Sequence, residues 1–130
     1  MKVTLLNAPI CHTADVMYVT RLIDRATAVR LAAIAAKNGD LHSAIGHDGT
    51  AHVLSIVLNQ PVAVNRVSMQ YSPGDIAIAL QLRHRQPEGV VLTAEQVEAI
   101  GYDLTLIETG PAPVCVVYGS AAQAAEFIAK

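Results

Sequence analysis

Three groups of residues in this 130-residue chain have types and spacing suited to chemistry on a phosphate. The first is His47, set in Ser43-Ala44-Ile45-Gly46-His47-Asp48-Gly49-Thr50-Ala51 between two glycines, where an apolar run ends and a helical pattern begins. A strand–turn–helix passage of this kind presents one imidazole beside a helix N-terminus, whose backbone N–H groups and dipole favour an anion. The second is the Arg83 and Arg85 pair in a polar loop, and the third is Glu88 in Pro87-Glu88-Gly89. Together they supply a general acid or base, a phosphate clamp and a carboxylate. Cleaving an RNA phosphodiester needs little more. The neighbouring 2′-hydroxyl attacks phosphorus, cations or amides carry the developing charge, and an acid protonates the leaving 5′-oxygen. An imidazole gives or takes that proton near neutrality.

Each group also has an ordinary reading. A turn histidine is often a solvated surface group, one of two alternating arginines can finish a strand in solvent, and Pro-Glu-Gly is a common turn. Asn7, closing the strand-like residues 2–7, either reaches a site or satisfies turn backbone. Cys11-His12 is not a nucleophile–base pair on this pattern, because neighbouring side chains point apart. His42, His47 and His52 repeat every five residues, which fits neither the i, i+4 spacing of a helix nor a zinc site, so no metal is expected. No Walker-type or dinucleotide-type glycine loop is present, and no cofactor is expected.

The elements that must position these groups follow from the hydrophobic pattern. Hydrophobic residues make up 52% of the chain and charged residues 15%, enough for one packed domain and for apolar surface hidden in an oligomer. With no Trp and one Phe, the core falls to Val, Ile, Leu and Ala. A net charge of −2 argues against a broad nucleic-acid-binding face, so no duplex partner is expected, although a few arginines suffice for a small anion. The two cysteines, Cys11 and Cys115, read as reduced thiols of a cytoplasmic protein. No apolar run approaches the roughly 20 residues of a membrane span.

Residues 2–7 read as a strand ended by Pro9, and 16–23 as a second strand or an irregular crossover. Asp24 or Thr27 caps a helix over 28–37, with Val29, Leu31, Ala32, Ala35 and Ala36 as its apolar face and Asn38-Gly39 closing it. Residues 41–45 form a short strand, and Thr50 is the candidate cap of a helix over 51–58, with Val53, Leu54, Val57 and Leu58 inward. Residues 62–67 read as a strand making an antiparallel hairpin with 75–82 across the turn at Ser72-Pro73-Gly74-Asp75. Thr93 and Gln96 form a capping box for a helix to Ile100, and 102–108 is a further strand. Past Gly110, residues 114–118 are a possible strand and 121–129 a terminal helix. The mixture gives a single α/β domain with a mixed sheet of about five strands flanked by helices.

The chain resembles a known family in the 43–51 motif, in Pro61-Val62-Ala63-Val64-Asn65-Arg66, in Arg85-Gln86-Pro87-Glu88-Gly89 with Leu92-Thr93, and in Glu98-Ala99-Ile100-Gly101-Tyr102. In their order and spacing these look like the viral type III anti-CRISPR ring nucleases and their cellular relatives. The likeness runs from Lys2 to about Glu108, and residues 109–130 extend past it.

The resemblance implies a homodimer that binds cyclic tetra-adenylate across its interface. Such an enzyme cleaves the ring, without metal, to linear di-adenylates ending in 2′,3′-cyclic phosphate, which switches off type III CRISPR signalling. It implies His47 as general acid, Glu88 as catalytic glutamate and Arg85 beside the scissile phosphate, with Asn7, Arg66 and Gln81 holding the ring. Gly46 and Thr50 flank the histidine turn as ligand-binding positions, and Arg83 joins them on local charge alone. A protein that sequesters the ring without cutting it, and a dimeric nucleic-acid-binding protein, are the alternatives.

Overall fold

The structure, a computed structural model, describes residues 2–85 and 91–111. In chain order these form β1 (Val3–Leu6), β2 (Val16–Ile23), α1 (Arg25–Lys37), β3 (Leu41–Ser43), α2 (Asp48–Leu58), β4 (Ile76–Leu82), α3 (Ala94–Ile100) and β5 (Tyr102–Pro111). The strands make one mixed sheet in the order β2-β5-β4-β1-β3. β1 lies parallel to β3 and to β4, while β5 runs antiparallel to β4 and to β2.

Period-2 patterning decides what each face holds. On β4, Ile76, Ile78 and Leu80 join Val3, Leu5, Leu104 and Leu106 beneath the helices. There they meet Ala28, Ala32 and Ala35 of α1, Val97 of α3, and Val53, Leu54, Val57 and Leu58 of α2. Those four α2 residues are the inward face expected from their spacing. The α1 face is rotated from expectation, with Ala28 buried and Ala36 exposed. The opposite side of β4 is Ala77 and Ala79, also buried, under Met69 and Tyr71. Small alanines there let an irregular segment approach the sheet closely, so β4 is covered on both faces.

Residues 62–67 are not a strand and make no hairpin with β4. Pro61 ends the α2 region, and the segment then runs beside the free edge of β3 on a mixture of bonds. Ser43 Oγ donates to the Ala63 carbonyl (2.6 Å), the Asn65 amide nitrogen to Ile45 O (2.7 Å), and Asn65 Nδ2 to Ser43 O (2.8 Å). Ser and Asn side chains thus occupy positions that a backbone ladder would use, which favours an irregular path over a strand. Residues 16–23, by contrast, resolve into strand β2, registered over eight residue pairs with β5. The expected strand at 114–118 and helix at 121–129, with Cys115, lie outside the described residues.

Two helix caps fall on residues the sequence offered, although α1 begins at Arg25, three residues before the expected start. Asp24 caps α1 by accepting from the Thr27 amide (2.8 Å). Hydrogen bonds from Thr27, side-chain and backbone, hold the Asp24 carboxyl below the usual carboxylate range. A depressed folded-state pKa means stability that is present above the ordinary carboxylate range and lost as pH falls through it. Asp24→Asn, which still caps but does not titrate, should therefore flatten the acid limb of a melting-temperature profile between about pH 5 and 3.

Thr93 and Gln96 form the full capping box at α3. Thr93→Ala should cost about 1 kcal/mol in urea denaturation. An unchanged midpoint would mean that this seven-residue helix is held by Val97 burial alone.

Candidate functional site

The parallel strands β3, β1 and β4 all end at one edge of the sheet. Past β1 the chain turns onto the irregular face, where Ile10 packs against the Leu6 cluster. Past β3 it turns onto the helix face and enters α2. Where neighbouring strands send their connections to opposite faces, a crevice opens outside the strand ends, and open α/β sheets bind ligands there.

A hollow of about 500 Å³ at this position is bordered by Asn7, Ala44, Gly46, His47, Arg66, Val67 and Ser68. Four residues singled out from the sequence therefore converge. Asn7 also borders a second hollow of about 330 Å³, with Thr50, Val53, Leu80, Gln81 and Leu82 around it. Thr50 and Gln81 thus join the same edge through Asn7.

His47, not Thr50, is the N-cap of α2. Its backbone is extended (φ −130°, ψ 133°) and its carbonyl accepts from the Ala51 amide (3.1 Å). The helix therefore begins three residues earlier than expected, and Gly49 lies inside its first turn rather than in a loose loop. The imidazole makes no capping bond, is exposed, and borders the hollow without a hydrogen-bond partner among the described residues. Asp48 occupies the first turn of α2 and already complements the helix dipole. An anion at this edge thus depends on cationic and hydrogen-bonding side chains more than on the helix terminus.

Arg66 reaches the site because the Asn65–Ile45 backbone bond brings the irregular segment alongside the turn. Its Nε donates to Gly46 O (2.7 Å), fixing the guanidinium at the rim. A Cβ at position 46 would stand 3.2 Å from Arg66 Cγ, so the glycine gives the arginine room to lie across the turn. Under the same segment, a hollow of about 200 Å³ includes the buried Thr4, whose hydroxyl has no hydrogen-bond partner among the described residues.

Arg83 does not join this group. It pairs with Asp103 (3.0 Å) and lies over Gly101, whose φ of +79° and missing Cβ leave space for it. It lines a separate hollow of about 470 Å³ with Arg25, Glu98 and Tyr102. There burial, and a hydrogen bond to Glu98, push the Tyr102 hydroxyl up from its ordinary pKa. Local charge suggested a clamp, but the opposite charge that satisfies Arg83 lies 20 residues away in sequence. Arg85 is exposed in the connection leaving β4, at the same edge as Asn7 and His47. Glu88 lies outside the described residues.

Sequence reasoning missed the tyrosines that tie the site's walls together. The Tyr71 hydroxyl donates to Ile10 O (2.7 Å), and the Tyr71 amide donates to Thr13 Oγ1 (3.1 Å). No local pattern announces these contacts, which span about 60 residues of sequence. An aromatic in an otherwise polar irregular stretch was the available signal.

The open α/β sheet with a polar crevice at its parallel strand ends defines the class of this small domain. Comparison with known proteins specifies it further: residues 3–104 match the STIV B116-like family, and the chain belongs to that family of archaeal virus proteins. It is similar to uncharacterized protein ORF117 of Acidianus two-tailed virus, at 44% identity over 55% of this chain and 62% of that one. It is also similar to uncharacterized protein 26 of Sulfolobus islandicus filamentous virus, at 36% identity over 51% and 57% of the two chains. The matches thus span about three fifths of these relatives' lengths. B116 of Sulfolobus turreted icosahedral virus shares the fold, with a TM-score of 0.75 and 22% identity over 83% of this chain and 99% of that one. Among the described residues, no helix is long and apolar enough to cross a membrane.

Proposed function

We propose that this chain is a metal-independent ring nuclease acting on cyclic tetra-adenylate in the host cytoplasm. One observation carries the reading: His47 and Gly46 of the turn, and Asn7 and Arg66, the ring-holding positions that the resemblance implies, border one hollow at the parallel strand ends. The resemblance of the motifs around His47, Arg66 and Glu88 to ring nucleases supplies the substrate. Membership in a viral family fits a role in disarming host defence.

In this reaction a 2′-hydroxyl gives up its proton to solvent water and attacks the adjacent phosphorus, and the P–O5′ bond breaks. The electron pair leaves on O5′, and the His47 imidazolium returns a proton to it. Arg66, and Arg85 from the β4–α3 connection, offset charge on the non-bridging oxygens. Glu88 is the carboxylate partner on that connection. The products are a 2′,3′-cyclic phosphate and a free 5′-hydroxyl. A ring of four nucleotides outgrows one 500 Å³ hollow, so a second copy completes the site about a two-fold axis, matching the ring's own symmetry. Two cuts then release identical halves.

The test is incubation with cyclic tri-, tetra- and hexa-adenylate in excess EDTA, with products resolved by chromatography. Conversion of the tetramer to di-adenylates, undiminished by the chelator, is the expected result. Loss of cleavage in EDTA would overturn the mechanism.

Sequestration without cleavage is the second reading. It is favoured by the exposed His47 side chain, which no described residue orients. Tight binding with the ring intact after hours would select it.

A further inference from the structure

We infer that Tyr71 is a positioning residue that sets the spacing between Asn7 and Arg66, an inference that rests on the ring-binding reading of their hollow. The two residues stand on different segments. Asn7 opens the β1–β2 connection, and Arg66 lies on the irregular stretch before β4. Among the described residues, the hydrogen bonds joining these segments all run through Tyr71. Its hydroxyl donates to Ile10 O (2.7 Å), three residues past Asn7, and its amide donates to Thr13 Oγ1 (3.1 Å).

Thr13 is held in turn from β2. Its amide donates to the Tyr18 hydroxyl (2.9 Å), and that hydroxyl lies 3.2 Å from the Thr13 carbonyl, which accepts from it. The Tyr18 and Tyr71 rings meet edge to face, with centroids 5.1 Å apart. Tyr71 is buried at 4% exposure against Ala77 and Ala79, so its ring is fixed to the sheet floor. Burial pushes its hydroxyl far above the ordinary tyrosine range, which keeps the proton on the oxygen and the donated bond in place.

The consequence is mechanical. The wall bearing Asn7 and the wall bearing Arg66 are referenced to the same buried ring rather than to each other through solvent. His47 stands on a third segment, the β3–α2 turn, which is held to the Arg66 wall by its own bonds, Arg66 Nε to Gly46 O and the Asn65 amide to Ile45 O, and not through Tyr71. Weakening the tie therefore costs the energy of holding a ligand between Asn7 and Arg66 and leaves proton transfer from His47 intact. That separates binding from turnover, which general destabilisation does not do.

The experiment compares wild type, Tyr71→Phe, Thr13→Val and Thr13→Ser in the full chain. Each is measured for cyclic tetra-adenylate Kd by calorimetry, for KM and kcat by product release, and for thermal midpoint. Tyr71→Phe keeps the ring contact and the amide bond and removes the hydroxyl; Thr13→Val removes the acceptor from the amide bond. Each should raise Kd and KM by about two- to tenfold, the worth of one neutral hydrogen bond. Thr13→Ser, which restores the oxygen, should return to wild-type values, with kcat unchanged throughout. Wild-type binding with Kd unaltered in both Tyr71→Phe and Thr13→Val would overturn this inference and leave the ring-binding reading standing. No binding by the wild type would overturn both. If Tyr71→Phe fails to fold, the Thr13→Val and Thr13→Ser pair decides.

Discussion

Replacing His47 with alanine is expected to slow cleavage of cyclic tetra-adenylate by about 10²- to 10⁴-fold, the range that a positioned general acid contributes. Binding should be nearly unchanged. The basis is geometric. His47 caps α2 with its backbone, through a carbonyl bond to Ala51 that alanine can also make, and its side chain takes no part in the cap. The substitution therefore removes the imidazole without removing a structural contact, and the thermal midpoint should move little. The wild-type rate should fall towards alkaline pH, because a general acid donates to the leaving oxygen only in its protonated form. The residual activity of His47→Ala should lack that slope. If chemistry is rate-limiting, a flat wild-type profile would remove His47 as the acid. Full activity in His47→Ala would remove the ring nuclease assignment.

What could be read in advance divides along the line between local and non-local determinants. The α2 core stripe and the Thr93–Gln96 box depend on residues within one or two turns of each other, and each was legible; for α1 the choice was narrowed to Asp24 or Thr27, and Asp24 is the cap. So was the count of five strands in a mixed sheet. Which five they are was less so. Residues 62–67 carry a strand-like apolar pattern, and their path is set by Ser43 at the end of β3 and Ile45 just past it, about 20 residues earlier. The edge strand β2 shows weak alternation because Met17, Val19 and Leu22 remain exposed along it. Its strand state is fixed by pairing with β5, which no local window contains.

The site shows the same division. Gly46-His47 announced itself by turn chemistry, and Asn7 by its place at a strand end. That these two share a hollow with Arg66 follows from the parallel β1–β3 pairing and the Asn65–Ile45 bond. Arg83 is the instructive failure. Two alternating arginines before a Pro-Glu-Gly turn read as one clamp. Yet Arg83 has Asp103 as its partner and Gly101 as its bed, both supplied by the strand that folds back beside β4. Charge in a loop identifies a candidate cation and leaves open whether another strand has already satisfied it.

Arg66 bears the second large effect. Arg66→Ala should raise the Kd for cyclic tetra-adenylate by about 10- to 100-fold, the cost of losing a charge-assisted contact to phosphate. The arginine has two tasks that can be separated. Its Nε is committed to Gly46 O and holds the guanidinium across the turn, leaving the far end of the fork toward the hollow. Arg66→Lys keeps the charge and loses both the fixed fork and the Nε–Gly46 bond, so it should recover only part of the affinity. If Arg66 acts as charge alone, lysine would restore affinity fully and the loss in alanine would vanish in high salt. If the Gly46 tether matters, the lysine variant stays weak at every ionic strength. The exposed position of Arg66 keeps the stability cost small, so a thermal midpoint near wild type is the control. On the proposed two-fold dimer, which would present the arginine twice to one ring, mixed dimers carrying a single Arg66→Ala copy should bind with intermediate affinity. Wild-type affinity in those mixed dimers would show that one guanidinium suffices and would argue against a shared, symmetric site.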